Sequence, residues 1–260
     1  MSVKQLFDLT GKVALITGGT KGLGLQMAEA LGEQGAKIFI SARNAAEVEQ
    51  VVKDLEAQGI QAGGVACDLG KLDTNPITTL VDAAEAKFGT VDILINNAGT
   101  TWGQPAEEHS YEGWQKVMSL NVDVCFLMAQ EVARRFMIPR QSGKIINIAS
   151  IAGFKGNRAN SGIHTVAYNT SKAAAINLTR ALAGEWGPHN INVNAICPGY
   201  FPTKMAKGLE KVTELIKAGT PLGRIGGEED IKGIAVFLAT EASRHVTGQA
   251  IAVDGGNSVV

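Results

Sequence analysis

The sequence predicts an α/β fold: a doubly wound parallel sheet flanked by helices, in one domain covering residues 1–260. Three observations carry that expectation. Short apolar runs alternate with amphipathic stretches through the first part of the chain. The first run opens through a cluster of glycines into a helix, and no linker, repeat or low-complexity segment divides the chain. Such strands read as nearly continuous apolar runs because crossover helices cover both faces of a parallel sheet.

At 260 residues, with 45% hydrophobic content and 31 glycines, the chain is long enough to bury a full core. Its net charge is −1 and no basic stripe appears, so nucleic-acid or anionic-membrane binding has no electrostatic support. Cys67, Cys125 and Cys197 are odd in number and widely spaced, which suits reduced thiols better than a disulfide framework or a zinc site. Met1 to Thr10 lack the pattern of an export leader and no run reaches membrane-spanning length, so a soluble cytoplasmic protein without a metal is expected.

Taken in order, Lys12–Thr17 is a buried strand. It runs into Thr17–Gly24 and an amphipathic helix through Leu31. Gly18, Thr20, Lys21, Gly22, Leu23 and Gly24 sit where a backbone can approach a pyrophosphate and the helix N-terminus can hold it. A plain glycine turn is the alternative, and the spacing differs from the commoner Gly-x-Gly-x-x-Gly. The next strand, Ala36–Ser41, ends without the carboxylate that would bond a ribose 2′-hydroxyl. Instead Ser41 is followed by Arg43, and Arg43 with Lys21 suits a 2′-phosphate, so NADP(H) is expected rather than NAD. For either cation the alternative is a solvated surface charge.

A helix follows over Ala45–Gln58, then a strand ending at Ala66 to Leu69. Asp68, with Leu69 beside it, is placed to meet an adenine amino group or to cap the next turn. After a helix to Phe88, the strand Val91–Ile95 closes in Asn96, Asn97, Ala98 and Gly99. Tyr111 to about Met137 is helical with an interruption near Asn121. Lys144–Ala149 is a strand with Ser150 at its carboxyl end, and a polar, glycine-bearing loop around residues 156–164 suggests a border to the substrate, with His164 facing solvent. The helix Thr165–Trp186 sets Tyr168 and Lys172 one turn apart on one face. Ionising a tyrosine near neutral pH needs about 3 to 4 kcal/mol of help, and a lysine charge about 5 Å away contributes on the order of 3 kcal/mol. The strand Ile191–Ile196 leads to Pro198, Gly199, Phe201 and Thr203. Residues 204–220 read as an amphipathic lid with Met205 and Leu209 as its lining, before a helix over Glu228–Ala239 and a last strand, Gln249–Val253.

In this order the motifs resemble the short-chain dehydrogenase/reductase family: Thr17 to Gly24, Asn96 to Gly99, Asn121, Ser150, Tyr168 with Lys172, Pro198-Gly199 with Thr203, and Val253 to Gly256. The resemblance spans almost the whole chain. It implies a Rossmann-type fold, a nicotinamide cofactor and a homo-oligomer, with a tetramer favoured over a dimer. It also implies roles: Tyr168 as acid/base, Ser150 on the substrate oxygen, Lys172 on the tyrosine and the nicotinamide ribose, and Asn121 holding a relay water. The turn from Pro198 would meet the nicotinamide carboxamide. Ser150 and Tyr168 lie 18 positions apart, more than is common in the family. Asn97 to Gly103 and Trp114 to Met118 are similar to β-ketoacyl reductase members. Ile145 to Gly153 and Phe201 to Met205 are similar to gluconate 5-dehydrogenase-like members. The expected activity is NADPH-dependent reduction of a ketone, first a 3-oxoacyl thioester or similar β-keto compound and alternatively sugar-acid or polyol oxidation. A silent NADP-sensing regulator is the reading from another class, although it would usually lack Tyr168 or Lys172.

Overall fold

In the computed structural model, which describes residues 1–157, 162–202 and 213–260, seven parallel strands form one sheet in the order β3-β2-β1-β4-β5-β6-β7. They are β1 (Val13–Thr17), β2 (Lys37–Ala42), β3 (Ala62–Ala66), β4 (Ile93–Asn96), β5 (Gly143–Ile148), β6 (Ile191–Pro198) and β7 (Ala250–Val253). Helices α1 (Val3–Leu6), α2 (Gly22–Glu33), α3 (Ala45–Ala57), α4 (Pro76–Phe88) and α5 (Tyr111–Met118) come first. α6 (Val124–Val132), α7 (Ile138–Arg140), α8 (Val166–Trp186), α9 (Thr213–Ala218) and α10 (Lys232–Ala239) follow. The doubly wound architecture is as expected.

Alternation along each strand explains why helices cover both faces. Ala14, Ile16, Ile38, Ile40, Ile95 and Ile146 pack with Met27 and Leu31 of α2, Val48 and Leu55 of α3, and Leu238 of α10. Leu15, Phe39, Leu94, Ile145 and Val193 face the other way, against Leu80 and Val81 of α4, Met128 and Val132 of α6, and Leu182 of α8. Each fully buried aliphatic side chain contributes about 1.5 to 3 kcal/mol. The strand order reverses between β1 and β4, so the crevice outside their carboxyl ends is the place for a ligand in such a sheet.

The interruption expected near Asn121 is a π-helical turn, Ser119–Asp123, in which the Val124 N–H reaches back to the Ser119 carbonyl. A second π turn, Ala133–Met137, was not foreseen. Pro139 explains it: with no N–H to return to the Arg135 carbonyl, the helix loosens just ahead of the proline. The helix expected from Glu228 starts at Lys232. Asp230 instead closes a turn by accepting from the Gly227 N–H at 2.6 Å while it pairs with Arg224.

Ile16 is completely buried in β1. Ile16→Ala is expected to destabilise the protein by about 2 to 5 kcal/mol, read as a lower urea midpoint at unchanged slope. A loss below about 1 kcal/mol would mean that this position does not carry the core load assigned to it.

Candidate active site

The glycine loop is built by close approach. Gly18 and Gly22 take positive φ values of 67° and 54°, a region that strongly favours glycine. A Cβ at Gly24 would lie 2.3 Å from the Gly18 carbonyl oxygen and 2.6 Å from Asn97 Nδ2, so no side chain fits there. Asn97 Nδ2 donates to the carbonyls of Thr17 at 2.9 Å and Gly18 at 3.0 Å. Thr17 Oγ1 in turn accepts from the N–H groups of Asn97 and Ala98, both at 3.0 Å. The ends of β1 and β4 are thereby tied across the switch point. Lys21 is the N-cap of α2 and makes no side-chain cap, which leaves the helix's first N–H groups for an anion.

At the far side of this cradle Ser41 is buried, and its hydroxyl has no hydrogen-bond partner. Arg43 is exposed just beyond it. These features, with the glycines that a side chain would block, fit a dinucleotide carrying a 2′-phosphate. Lys21 is not standing open, however: its Nζ pairs with Glu47 Oε2 at 2.5 Å. Thr20 Oγ1 points at the same carboxylate, 3.5 Å away. Leu23 packs partly against the core. Asp68 Oδ1 accepts from the Gly70 N–H at 3.1 Å, so the turn-forming role weighed for it is present. The Leu69 side chain lies in the core beside Leu80.

Tyr168 and Lys172 do share one face of α8, with Lys172 Nζ 5.6 Å from the centre of the Tyr168 ring. The lysine is buried, and its Nζ donates to the Ile148 carbonyl at 2.7 Å. Ser150, at the end of β5, accepts from the Ala152 N–H at 3.1 Å, and its hydroxyl lies near enough to the Tyr168 phenol to ease its ionisation. A Cβ at Gly99 would come within 3.2 Å of Asn121 Oδ1 and 3.6 Å of Lys172 Nζ, so the loop after β4 rests directly on the lysine. Asn121 Oδ1 accepts from the Thr100 N–H at 2.8 Å. Its Nδ2 donates to the Thr100 carbonyl and to Ser171 Oγ, both at 2.9 Å. The asparagine amide therefore clamps loop to helix, and a relay water would have to use backbone carbonyls that a π turn leaves underbonded.

Loss of water dominates the ionisation of the pair. Burial pushes the Lys172 ammonium down from an ordinary 10.5 to about 8. Burial pushes the Tyr168 phenol up, opposed by the nearby Ser150 hydroxyl. The expectation that Lys172 alone eases the tyrosine's ionisation is thus corrected for the free protein: its ammonium is drawn to the Ile148 carbonyl, and the compensating contact is Ser150. The thiols of Cys125 and Cys197 are each pushed up to about 12, mainly by burial, so they add no negative charge beside Lys172 near neutral pH.

Pro198 ends β6, and a Cβ at Gly199 would press within 2.7 Å of the Asp254 Cβ. The Phe201 ring is buried against Gly226, so it belongs to the core. Thr203, Met205 and Leu209 lie outside the described residues. His164 is exposed as expected, and its carbonyl accepts from the Gln104 N–H at 2.9 Å. Around the extended loop, whose residues 158–161 are also outside the described ones, Lys155, Asn157, Val166, Thr170 and Ala173 line a cavity of about 540 Å³. At about 100° per residue, Val166, Thr170 and Ala173 lie on the side of α8 away from Tyr168.

Sequence reasoning missed Asn147, Thr179, Ser171 and Glu47. Asn147 accepts from Asn96 Nδ2 at 3.0 Å and from the Cys125 thiol at 3.2 Å, and donates to Thr179 Oγ1 at 2.9 Å. A polar residue inside the apolar run Ile145–Ile148 was the available signal. Among the described residues no cluster of three or more His, Cys, Asp or Glu could hold a metal, and no helix is long and apolar enough to cross a membrane.

The family model described as short chain dehydrogenase matches residues 12–214. The chain is 44% identical to the 2-dehydro-3-deoxy-D-gluconate 5-dehydrogenase of Dickeya dadantii, covering 98% of both chains. It is 40% identical to the gluconate 5-dehydrogenase of Gluconobacter oxydans, over 100% of this chain and 99% of that one. Identity is 37% to the rhamnolipid-biosynthesis 3-oxoacyl-[acyl-carrier-protein] reductase of Pseudomonas aeruginosa, over 96% and 97%. Among solved structures, a gluconate 5-dehydrogenase from Burkholderia cenocepacia in complex with NADP and tartrate superposes with a TM-score of 0.92 at 34% identity, covering 99% of both chains.

Because burying its charge is unfavourable, Lys172 costs stability while the ammonium is protonated. Lys172→Met is expected to raise stability at pH 7 by about 1 to 3 kcal/mol. An unfolded lysine holds its proton up to about 10.5 and the folded one only to about 8, so the gain is full below pH 8 and fades between those values. Denaturant titrations at pH 7 and pH 10 check this; a less stable variant at pH 7 would contradict the burial argument.

Proposed function

The chain belongs to the short-chain dehydrogenase/reductase family, and on that premise we propose that it is an NADP-dependent oxidoreductase interconverting a secondary hydroxyl and a ketone on a sugar acid. The observation that carries the redox chemistry is the meeting of Ser150, Tyr168 and Lys172 beside the Asn97–Gly99 loop. Gly18, Thr20, Gly22, Leu23, Gly24, Asn97, Ala98 and Gly99 would hold the dinucleotide, with Arg43 and Ser41 toward its 2′-phosphate. Pro198, Gly199 and Thr203 would face its nicotinamide end. Bound NADPH supplies the hydride, and NADP⁺ accepts it in the reverse direction.

Tyr168 gives its hydroxyl proton to the ketone oxygen. Ser150 donates a hydrogen bond to that oxygen, one that strengthens as negative charge develops. Lys172, still protonated at neutral pH, offsets the phenolate left behind. The backbone at Asn121 lies on the route by which a water returns the proton. In the oxidative direction the phenolate is the base. The polyhydroxy-acid substrate is supported by the gluconate and deoxygluconate dehydrogenases among the relatives, each matched at 40% identity or more. A 3-oxoacyl thioester is the second reading, supported by the 37% identical reductase.

An assembly of identical subunits, tetramer before dimer, in the cytoplasm completes the reading. Exposed Phe126 beside Val122, Leu127 and Leu178 supports subunit packing on this apolar face.

Gluconate and 2-dehydro-3-deoxygluconate with NADP⁺, run beside 3-oxoacyl thioesters with NADPH, separate the two substrates; turnover on thioesters alone would reject the sugar-acid reading. Tyr168→Phe is expected to keep NADPH affinity within about twofold and lower kcat by about 10² to 10⁴. Parental turnover in that variant would remove the tyrosine from the mechanism. Arg43→Ala is expected to weaken NADPH binding about tenfold and leave NADH unchanged, as measured by equilibrium titration.

A further inference from the structure

The ion pair at the far side of the cradle supports an inference that rests on the NADP reading above. Glu47 lies in the first turn of α3, where Asn44 Oδ1 accepts its N–H at 3.2 Å and fixes the turn. From there its carboxylate reaches the glycine loop, accepting from Lys21 Nζ at 2.5 Å and from Thr20 Oγ1 at 3.5 Å. Arg43 immediately precedes the Asn44 cap. A negative charge therefore holds one of the two cations assigned to a 2′-phosphate, although β2 itself ends without a carboxylate.

We propose that Glu47 is a cofactor-selectivity residue, which engages Lys21 and blunts the preference for a phosphorylated adenosine ribose. Two effects act in the same direction. The carboxylate is paired with the lysine that would meet the phosphate, so it repels a phosphate drawn to that same lysine. Lys21 must also leave Glu47 before it can turn to the phosphate. NADH, with a bare 2′-hydroxyl, meets neither obstacle. Glu47 thus sets how sharply the chain separates the two cofactors, while Arg43 sets which one it prefers.

Equilibrium titration of NADPH and NADH without substrate, monitored by fluorescence, tests this in the wild-type protein, Glu47→Gln, Lys21→Ala and the double variant. Glu47→Gln is expected to tighten NADPH binding about five- to tenfold and to leave NADH within about twofold. Lys21→Ala is expected to weaken NADPH binding more in the Glu47→Gln background than in the wild type, because the glutamine no longer occupies the lysine. NADPH affinity unchanged or weakened by Glu47→Gln, or strictly additive effects of the two substitutions, would overturn the inference. Failure of the NADP reading looks different: NADPH would bind no tighter than NADH even in Glu47→Gln, and the inference would fall with it.

Discussion

One buried cation organises the catalytic end of this molecule. Lys172 sits under the Gly99 turn, anchored to the last carbonyl of β5, with most of its water removed. That position is unfavourable for an ammonium, and its proton affinity falls to about 8 accordingly. It remains charged near neutral pH, so its charge is present beside Tyr168, where the proposed mechanism forms a phenolate. A charge poised this way is worth more in catalysis than a solvated one, because little water competes with it and little reorganisation is needed. The same burial favours the protonated form of Tyr168, the form from which the proposed proton transfer starts.

Holding such a group requires polar side chains that bridge separate elements, and three asparagines supply them. Asn97 ties the β4 loop to the glycine turn, Asn121 ties it to α8 through Ser171, and Asn147 ties β5 to α6 and α8 through Cys125 and Thr179. Each is a bond between elements far apart in the chain. The π turn at Asn121 belongs to this scheme: shifting the helix register by one residue lets that amide reach Thr100 and Ser171 at once. Cofactor cradle and acid/base cluster are consequently one rigid unit, joined through the Asn97–Gly99 loop.

Much of this was legible in the sequence. Continuous burial in β1, β2, β4 and β5 follows from their apolar runs, and the doubly wound parallel sheet follows from strands alternating with crossover helices. Tyr168 and Lys172 meet because four residues make one helical turn. What stayed hidden depended on contacts between distant segments. Nothing local in Glu47 reveals that Lys21 will turn to it rather than to solvent. The ionisation of Tyr168 was misjudged because burial, which a sequence does not display, outweighs a nearby charge. The second π turn was readable from Pro139, whose missing N–H lies in the sequence itself.

On the proposed function, cofactor choice belongs to Arg43, Lys21 and Glu47, and substrate choice belongs to segments that border Ser150, Tyr168 and Lys172. The central claim concerns the lysine, and it is directly measurable. Carbon-13 labelling of lysine Cε, with Lys172 assigned by substitution, lets its titration be followed by NMR in the free protein. The account predicts a midpoint near 8, well below the ordinary 10.5. A Lys172 resonance titrating at the ordinary value would show a solvated ammonium and contradict the account at its root.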